Sequence, residues 1–217
     1  MKTKGKIIAV VGAQASDKST LVNKLVLNNP AWKAFYEGES FPGFVTNAFT
    51  DPDKRILAFL YFHNKWIKQY IEAQKLRDDG RVVILDNFWL SNLFFLDTLL
   101  DEDEKKLISV LIDSTSQLFR SPDAVIFLDV DIETMTQRIR ERNKKGQRFW
   151  ENTEAWLAEP LMVRKRYREF FYSASSNPLL SNSTEILRIN ATEENLLKRA
   201  TEFIQNCGSL ASIELSN

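Results

Sequence analysis

An apolar, β-branched run, Ile7-Ile-Ala-Val-Val11, breaks at Gly12 and gives way to Lys18-Ser19-Thr20. The run reads as a buried strand, and Ser19-Thr-Leu-Val-Asn-Lys-Leu-Val26 reads as the helix that follows it. A strand, a tight turn and a helix in this order open a helix N-terminus at the carboxyl edge of a sheet. The spacing matches a phosphate-binding loop, which asks for Gly, four residues, Gly, Lys and then Ser or Thr. Gly12, Lys18 and Ser19 fall in register, and Thr20 follows, but Asp17 stands where the second glycine is expected. In such a turn, which here includes Ala15, backbone N–H groups and the helix N-terminus face an anion. Lys18 is then expected to neutralise the terminal phosphates of ATP, and the Ser19 hydroxyl to sit on Mg²⁺. The plainer alternative is an ordinary strand-turn-helix with no ligand.

Asp17 sets a bound on that expectation. A carboxylate about 6 Å from one phosphate charge costs roughly 0.7 kcal/mol in water and roughly 3 kcal/mol at an effective dielectric near 20. On that basis Asp17→Gly should tighten ATP binding by roughly 1–3 kcal/mol. Aspartate accepts a positive φ better than most residues, so the turn itself need not be lost.

A chain of 217 residues with 44% hydrophobic content can bury one sizeable core, so a single domain over residues 1–207 and a tail over 208–217 are expected. The 29 basic and 29 acidic residues balance, which leaves no global signature of nucleic-acid or membrane binding. One cysteine, Cys207, excludes an intramolecular disulfide, and one histidine, His63, excludes a two-histidine zinc motif. The basic start is followed by too short an apolar run for a signal peptide, and no stretch has the length of a membrane span. A cytoplasmic protein is expected.

Further buried strands are predicted at Arg81–Asp86, Ala124–Val130 and Glu185–Asn190, with a weaker one at Ala34–Glu37. Helical patterns over 53–78, 90–119, 132–143, 153–173 and 192–207 separate them. Strands alternating with helices imply an α/β fold, a five-stranded parallel sheet with helices on both faces. Phe62, Trp66 and Tyr70, four residues apart, put three rings on one helical stripe. Each can be core, or the stripe can wall a pocket for a flat base. Arg138, Arg140, Arg142, Lys144, Lys145 and Arg148 form a second constellation. It reads either as a solvated helix end with cations placed for the dipole or as a lid, about 138–151, that closes over transferring phosphates.

Together these stretches resemble the thymidylate kinases, within the wider group that includes the deoxynucleoside kinases. The likeness runs through Gly12–Thr20, Tyr36-Glu-Gly-Glu39, the helix through Lys65, and Val83-Ile-Leu-Asp-Asn-Phe88. It continues through Phe127-Leu-Asp-Val130, Arg138–Lys145, Arg148-Phe-Trp-Glu151 and Asn190-Ala-Thr-Glu-Glu194, with Ala191 in a loop that borders adenine in the family. The resemblance implies the P-loop kinase fold with an arginine-rich lid, ATP and Mg²⁺ as cofactors, a nucleoside or nucleotide acceptor, and a possible homodimer. It assigns Lys18 to the β/γ-phosphates, Ser19 to Mg²⁺, Asp86 to the metal's water shell or the acceptor, and Glu37 to the acceptor hydroxyl or sugar. Arg138, Arg142 and Arg148 would close over the phosphates, and Phe62, Lys65, Trp66, Asp86 and Asn87 would border the acceptor.

The departures from the family pattern fall on charges. Tyr36 and Asn87 stand where that pattern carries arginines, Gly38 where it carries proline, and Lys65 where the long helix carries arginine. An arginine is a permanent bidentate clamp, whereas asparagine offers one neutral donor and tyrosine one hydroxyl. Two readings stay open. One is an ATP-dependent transfer to a dTMP-like monophosphate or to a deoxynucleoside; the other is a degenerate nucleotide-binding or regulatory protein on the same fold.

Overall fold

The computed structural model describes residues 5–38, 41–48, 51–144, 154–173 and 179–208. Five strands, β1 (Lys6–Val11), β2 (Lys33–Phe35), β3 (Val82–Asp86), β4 (Ala124–Asp129) and β5 (Glu185–Asn190), form one sheet in the order β2-β3-β1-β4-β5. Every neighbouring pair is parallel. A parallel sheet is covered on both faces, so its central strands are apolar throughout. Accordingly Ile7–Val11 and Ala124–Leu128 are buried without alternation.

The helices are α1 (Lys18–Asn28), α2 (Gly43–Asn47), α3 (Arg55–Asp78), α4 (Leu96–Leu99), α5 (Glu102–Leu118), α6 (Ile132–Lys144), α7 (Glu154–Tyr172) and α8 (Leu196–Asn206). The first and last of the long helices, α1 and α8, pack together on one side of the sheet, while α3 packs with α5 over β1 and β3, and α7 lies on β4. Helix α3 buries Phe59, His63, Trp66, Tyr70 and Ala73, a stripe at steps of four and three that faces the core.

The long helix expected over 90–119 is three pieces: a 3₁₀ segment (Trp89–Phe95), α4 and α5. The break is local chemistry. Leu100 is extended, and Asp101 accepts from the N–H groups of Asp103 and Glu104 while the Glu104 carboxylate accepts from the Asp101 N–H. That reciprocal capping box starts a new helix. The weak strand is shorter than Ala34–Glu37 and ends at Phe35, so Tyr36 and Glu37 lie on the loop beyond it. Of the lid, residues 138–144 are the last turns of α6, while Arg148 and the rest to 151 lie outside the described residues, as does most of the tail. Among the described residues no helix is long and apolar enough to cross a membrane.

Candidate active site

The turn between β1 and α1 is held close against β4. A Cβ on Gly12 would come within 2.5 Å of the Leu128 carbonyl oxygen and 2.7 Å of Ser16 Oγ, so glycine is required there by contact. Ala15 and Asp17 both take the left-handed conformation, at φ 59° and 62°. Lys18 Nζ curls over the turn and donates to the carbonyls of Gly12 at 2.8 Å and Ala13 at 3.1 Å. Its ammonium therefore stands over the mouth of the loop, where an anion would lie.

At the carboxyl ends of β1 and β3, Ser19 Oγ donates to Asp86 Oδ2 at 2.6 Å. The other carboxylate oxygen, Asp86 Oδ1, is buried with no hydrogen-bond partner. A buried acceptor left open beside a hydroxyl fits a hard cation, and Mg²⁺ needs only one or two protein oxygens beside phosphate and water. Ser19 and Asp86 would hold it, and it would neutralise charge on the transferring phosphate.

Glu37 lies on the loop that follows β2, and α3 fixes that loop from below. Gln69 Nε2 donates to the Tyr36 carbonyl at 2.8 Å, and Lys65 Nζ donates to the Glu37 carbonyl. Asn87 Nδ2 approaches Glu37 Oε2 at 3.4 Å. Asn87 itself adopts φ 77°, with its Oδ1 accepting from the Ser91 hydroxyl and from the Phe88 N–H. Burial, and then the Asp86 carboxylate, push the Tyr36 phenol up, so it stays protonated beside the acidic group.

One cavity of about 470 Å³ joins these parts. Its phosphate end is lined by Gly12, Ala15, Asp17, Lys18, Ser19 and Thr20, its middle by Glu37, Asn87 and Arg142, and its far end by Phe59, Phe62, Trp66 and Phe95. The Phe62 and Trp66 rings stack at 5.4 Å between centroids. The third ring of the expected stripe does not reach the cavity. Tyr70 is fully buried, and its hydroxyl donates to the Arg120 carbonyl at 2.5 Å.

Four expected site residues stand behind the lining. Asp86 reaches it through Ser19, and Arg138 through the phosphate loop. Lys65 is engaged on the Glu37 carbonyl, and Ala191 is buried, its N–H donating to the Asp129 carbonyl at 2.7 Å.

Beside the cavity's aromatic rings lies a polar edge that no motif announced, built from α3, the 3₁₀ segment and α5. Thr115 Oγ1 donates to the Leu111 carbonyl at 2.6 Å, so it must accept from His63 Nε2, 3.0 Å away. Asn92 Nδ2 donates to the Phe59 carbonyl at 3.5 Å and lies 3.4 Å from His63 Nδ1, an arrangement that suits the neutral ring with Nδ1 as acceptor. The Asn92 amide turns its NH₂ toward the Phe59 carbonyl and His63, and Asn92 lines the cavity. Burial lowers the His63 pKa from 6.5, which favours the neutral ring this relay needs. As pH falls below 6.5 the unfolded chain takes up the His63 proton before the folded one does, so stability is full above that pH and declines below it. Denaturant midpoints between pH 7.5 and 5.5 are expected to fall more for the natural chain than for His63→Leu. Equal slopes would remove His63 from the account.

A family model described as deoxynucleoside kinase matches residues 8–205 of this chain. The chain belongs to the deoxynucleoside kinase family. It is similar to a protein of Sulfurisphaera tokodaii named "Probable thymidylate kinase", 27% identical over 174 residues, which span 76% of this chain and 81% of that protein. In fold it is similar to deoxyadenosine kinase from M. mycoides. With the products dCMP and a flexible dCDP bound, that enzyme matches at TM-score 0.70 and 19% identity over 95% of this chain and 100% of that one. With dATP bound the TM-score is 0.67, at 19% identity over 92% and 97% of the two chains. The five-stranded parallel sheet with its covering helices is the fold of this kinase family, as the resemblance implied.

Proposed function

We propose that this chain transfers the γ-phosphoryl group of Mg–ATP to the hydroxyl of a deoxynucleoside. The observation that carries the reading is the single cavity. It runs from the phosphate loop, past the Glu37 carboxylate, to a stacked aromatic wall that would take a flat base. Phosphoryl transfer is mostly positioning and charge stabilisation, and the parts it requires border that space or, like Asp86, stand directly behind its lining. Lys18 would meet the β/γ-phosphates, Ser19 and Asp86 the metal, and Arg142 the transferring group. Glu37 would accept the hydroxyl proton. Asn92 Oδ1 would accept from a base N–H, since its NH₂ is turned toward the Phe59 carbonyl and His63.

A deoxynucleoside is favoured over a monophosphate by the charges. Lys65, which stands where the family pattern carries an arginine, is bound to the Glu37 carbonyl, and Asn87 turns a neutral amide toward the Glu37 carboxylate. A dianion beside Glu37 would meet repulsion, and the Tyr36 and Asn87 positions supply no guanidinium fork to offset it. Restoring arginine at both departures, Tyr36→Arg with Asn87→Arg, is therefore expected to raise dTMP affinity by more than thymidine affinity. Paired binding isotherms on the natural and doubly substituted chains measure this. Equal changes for the two ligands would show that these positions do not face an acceptor phosphate.

The second reading, a nucleotide-binding or regulatory protein without turnover, is favoured by the same two missing arginines. It is separated from the first by calorimetry with Mg–ATP followed by a transfer assay: binding without transfer to any deoxynucleoside or monophosphate supports it.

A further inference from the structure

Two residues of the phosphate loop are held in a backbone conformation that side chains resist. At φ 59° and 62°, Ala15 and Asp17 sit in the left-handed region, where a Cβ crowds the following carbonyl oxygen. Aspartate is tolerated there better than alanine, and glycine enters it freely. If either residue relaxed to negative φ, its peptide would swing and turn loop N–H groups away from the site of the anion. Such conformations persist only where the surroundings over-determine them.

The neighbouring backbone bonds leave the Ala15 carbonyl untouched. Ser16 N–H donates to the Ala13 carbonyl at 3.3 Å, Leu21 N–H to the Asp17 carbonyl at 3.0 Å, and Lys18 to the carbonyls of Gly12 and Ala13. What holds the strained pair comes from α6. Arg138 Nη1 donates to the Ala15 carbonyl at 3.0 Å and lies 3.0 Å from Asp17 Oδ2. One nitrogen thus contacts both left-handed residues, on a side chain only 25% exposed.

We infer that Arg138 is a positioning residue whose guanidinium clips the Ala15 carbonyl to the Asp17 carboxylate and so keeps the phosphate loop formed. In this arrangement Asp17 is the acidic half of a clip, and its charge is matched before any phosphate arrives. The bound drawn from an unpaired carboxylate therefore does not apply, and Asp17→Gly alone would remove repulsion and clip together. Arg142 follows Arg138 by one helical turn and lines the cavity, so the loop and the cation over the cavity's middle share one helix. The inference rests on reading Gly12–Thr20 as the donor-phosphate loop, and its test has one arm that needs no nucleotide.

Four proteins make the test: the natural chain, Arg138→Ala, Ala15→Gly/Asp17→Gly, and the triple variant. Amide exchange over residues 13–19 is measured without ligand, because local opening is what it reports. Arg138→Ala is expected to speed exchange about tenfold in the natural loop, roughly 1.4 kcal/mol of lost protection, and by less than about twofold in the glycine loop. Calorimetry with Mg–ATP on the same proteins should show the matching pattern: a loss of about tenfold in affinity in the natural loop, and restoration to within about threefold in the triple variant. Arg138→Lys, which keeps the charge but not the planar fork, replaces alanine in the same cycle if the truncated protein does not fold. Unchanged exchange on removing Arg138, or an equal loss of affinity in both loops, overturns the inference; the second result would mean Arg138 acts on the phosphates directly. Should none of the four proteins bind Mg–ATP, the donor reading fails, and the exchange data alone decide the clip.

Discussion

Lys18→Ala is expected to lower kcat/KM for phosphoryl transfer by about 10²–10³, the usual loss when one preorganised charge donor is removed from a developing oxyanion. Lys18 Nζ already stands over the loop on the Gly12 and Ala13 carbonyls, at 2.8 and 3.1 Å. Moving onto a phosphate exchanges two neutral acceptors for an anionic one, and charge-assisted bonds are roughly twice as strong. The effect should fall on ATP affinity as well as on turnover, because the same ammonium meets the phosphates before and during transfer. Steady-state kinetics with varied Mg–ATP measure both. A loss below about tenfold would mean that helix α1 and the loop amides hold the phosphates without Lys18.

Glu37→Gln tests the other end of the reaction. A positioned base contributes about 10²–10⁴ to the rate, and glutamine keeps the size of the side chain while removing its basicity. kcat is expected to drop by that amount while nucleoside KM stays within about threefold, since the base wall and its polar edge are untouched. The Asn87 amide at 3.4 Å can meet the carbonyl oxygen of glutamine as it meets the carboxylate, so the loop should keep its place. A KM that rises with kcat unchanged would make Glu37 a binding group and move the base elsewhere.

The scaffold of the site was legible in the chain because its signals are local. Ile7–Val11 and Ala124–Leu128 are unbroken apolar runs, and unbroken runs are what a doubly covered parallel strand must be. Gly12, Lys18 and Ser19 announce the loop by spacing alone. The capping box at Asp101–Glu104 was equally local, but the apolar pattern around it suggested one continuous helix and hid the break. What could not be read are contacts between distant elements. His63, Asn92 and Thr115 come from α3, the 3₁₀ segment and α5, and only their hydrogen-bond order shows which way the Asn92 amide turns. Likewise Asp17 looked like an uncompensated charge because its partner, Arg138, lies on α6, beyond three further strands of the sheet in sequence. Sequence spacing carries no information about such a pair, whereas its energetic meaning reverses once the 3.0 Å contact is present.

The most direct measurement is transfer of radiolabel from γ-labelled Mg–ATP to the deoxynucleosides and, separately, to dTMP, by the purified chain. Label should appear on at least one deoxynucleoside, with a kcat/KM above that for dTMP, and its transfer should fall by about 10²–10³ with Lys18→Ala. Label appearing on dTMP alone, or on no acceptor while Mg–ATP binds, would contradict a deoxynucleoside-phosphorylating site built from Lys18, Ser19, Glu37 and Asp86.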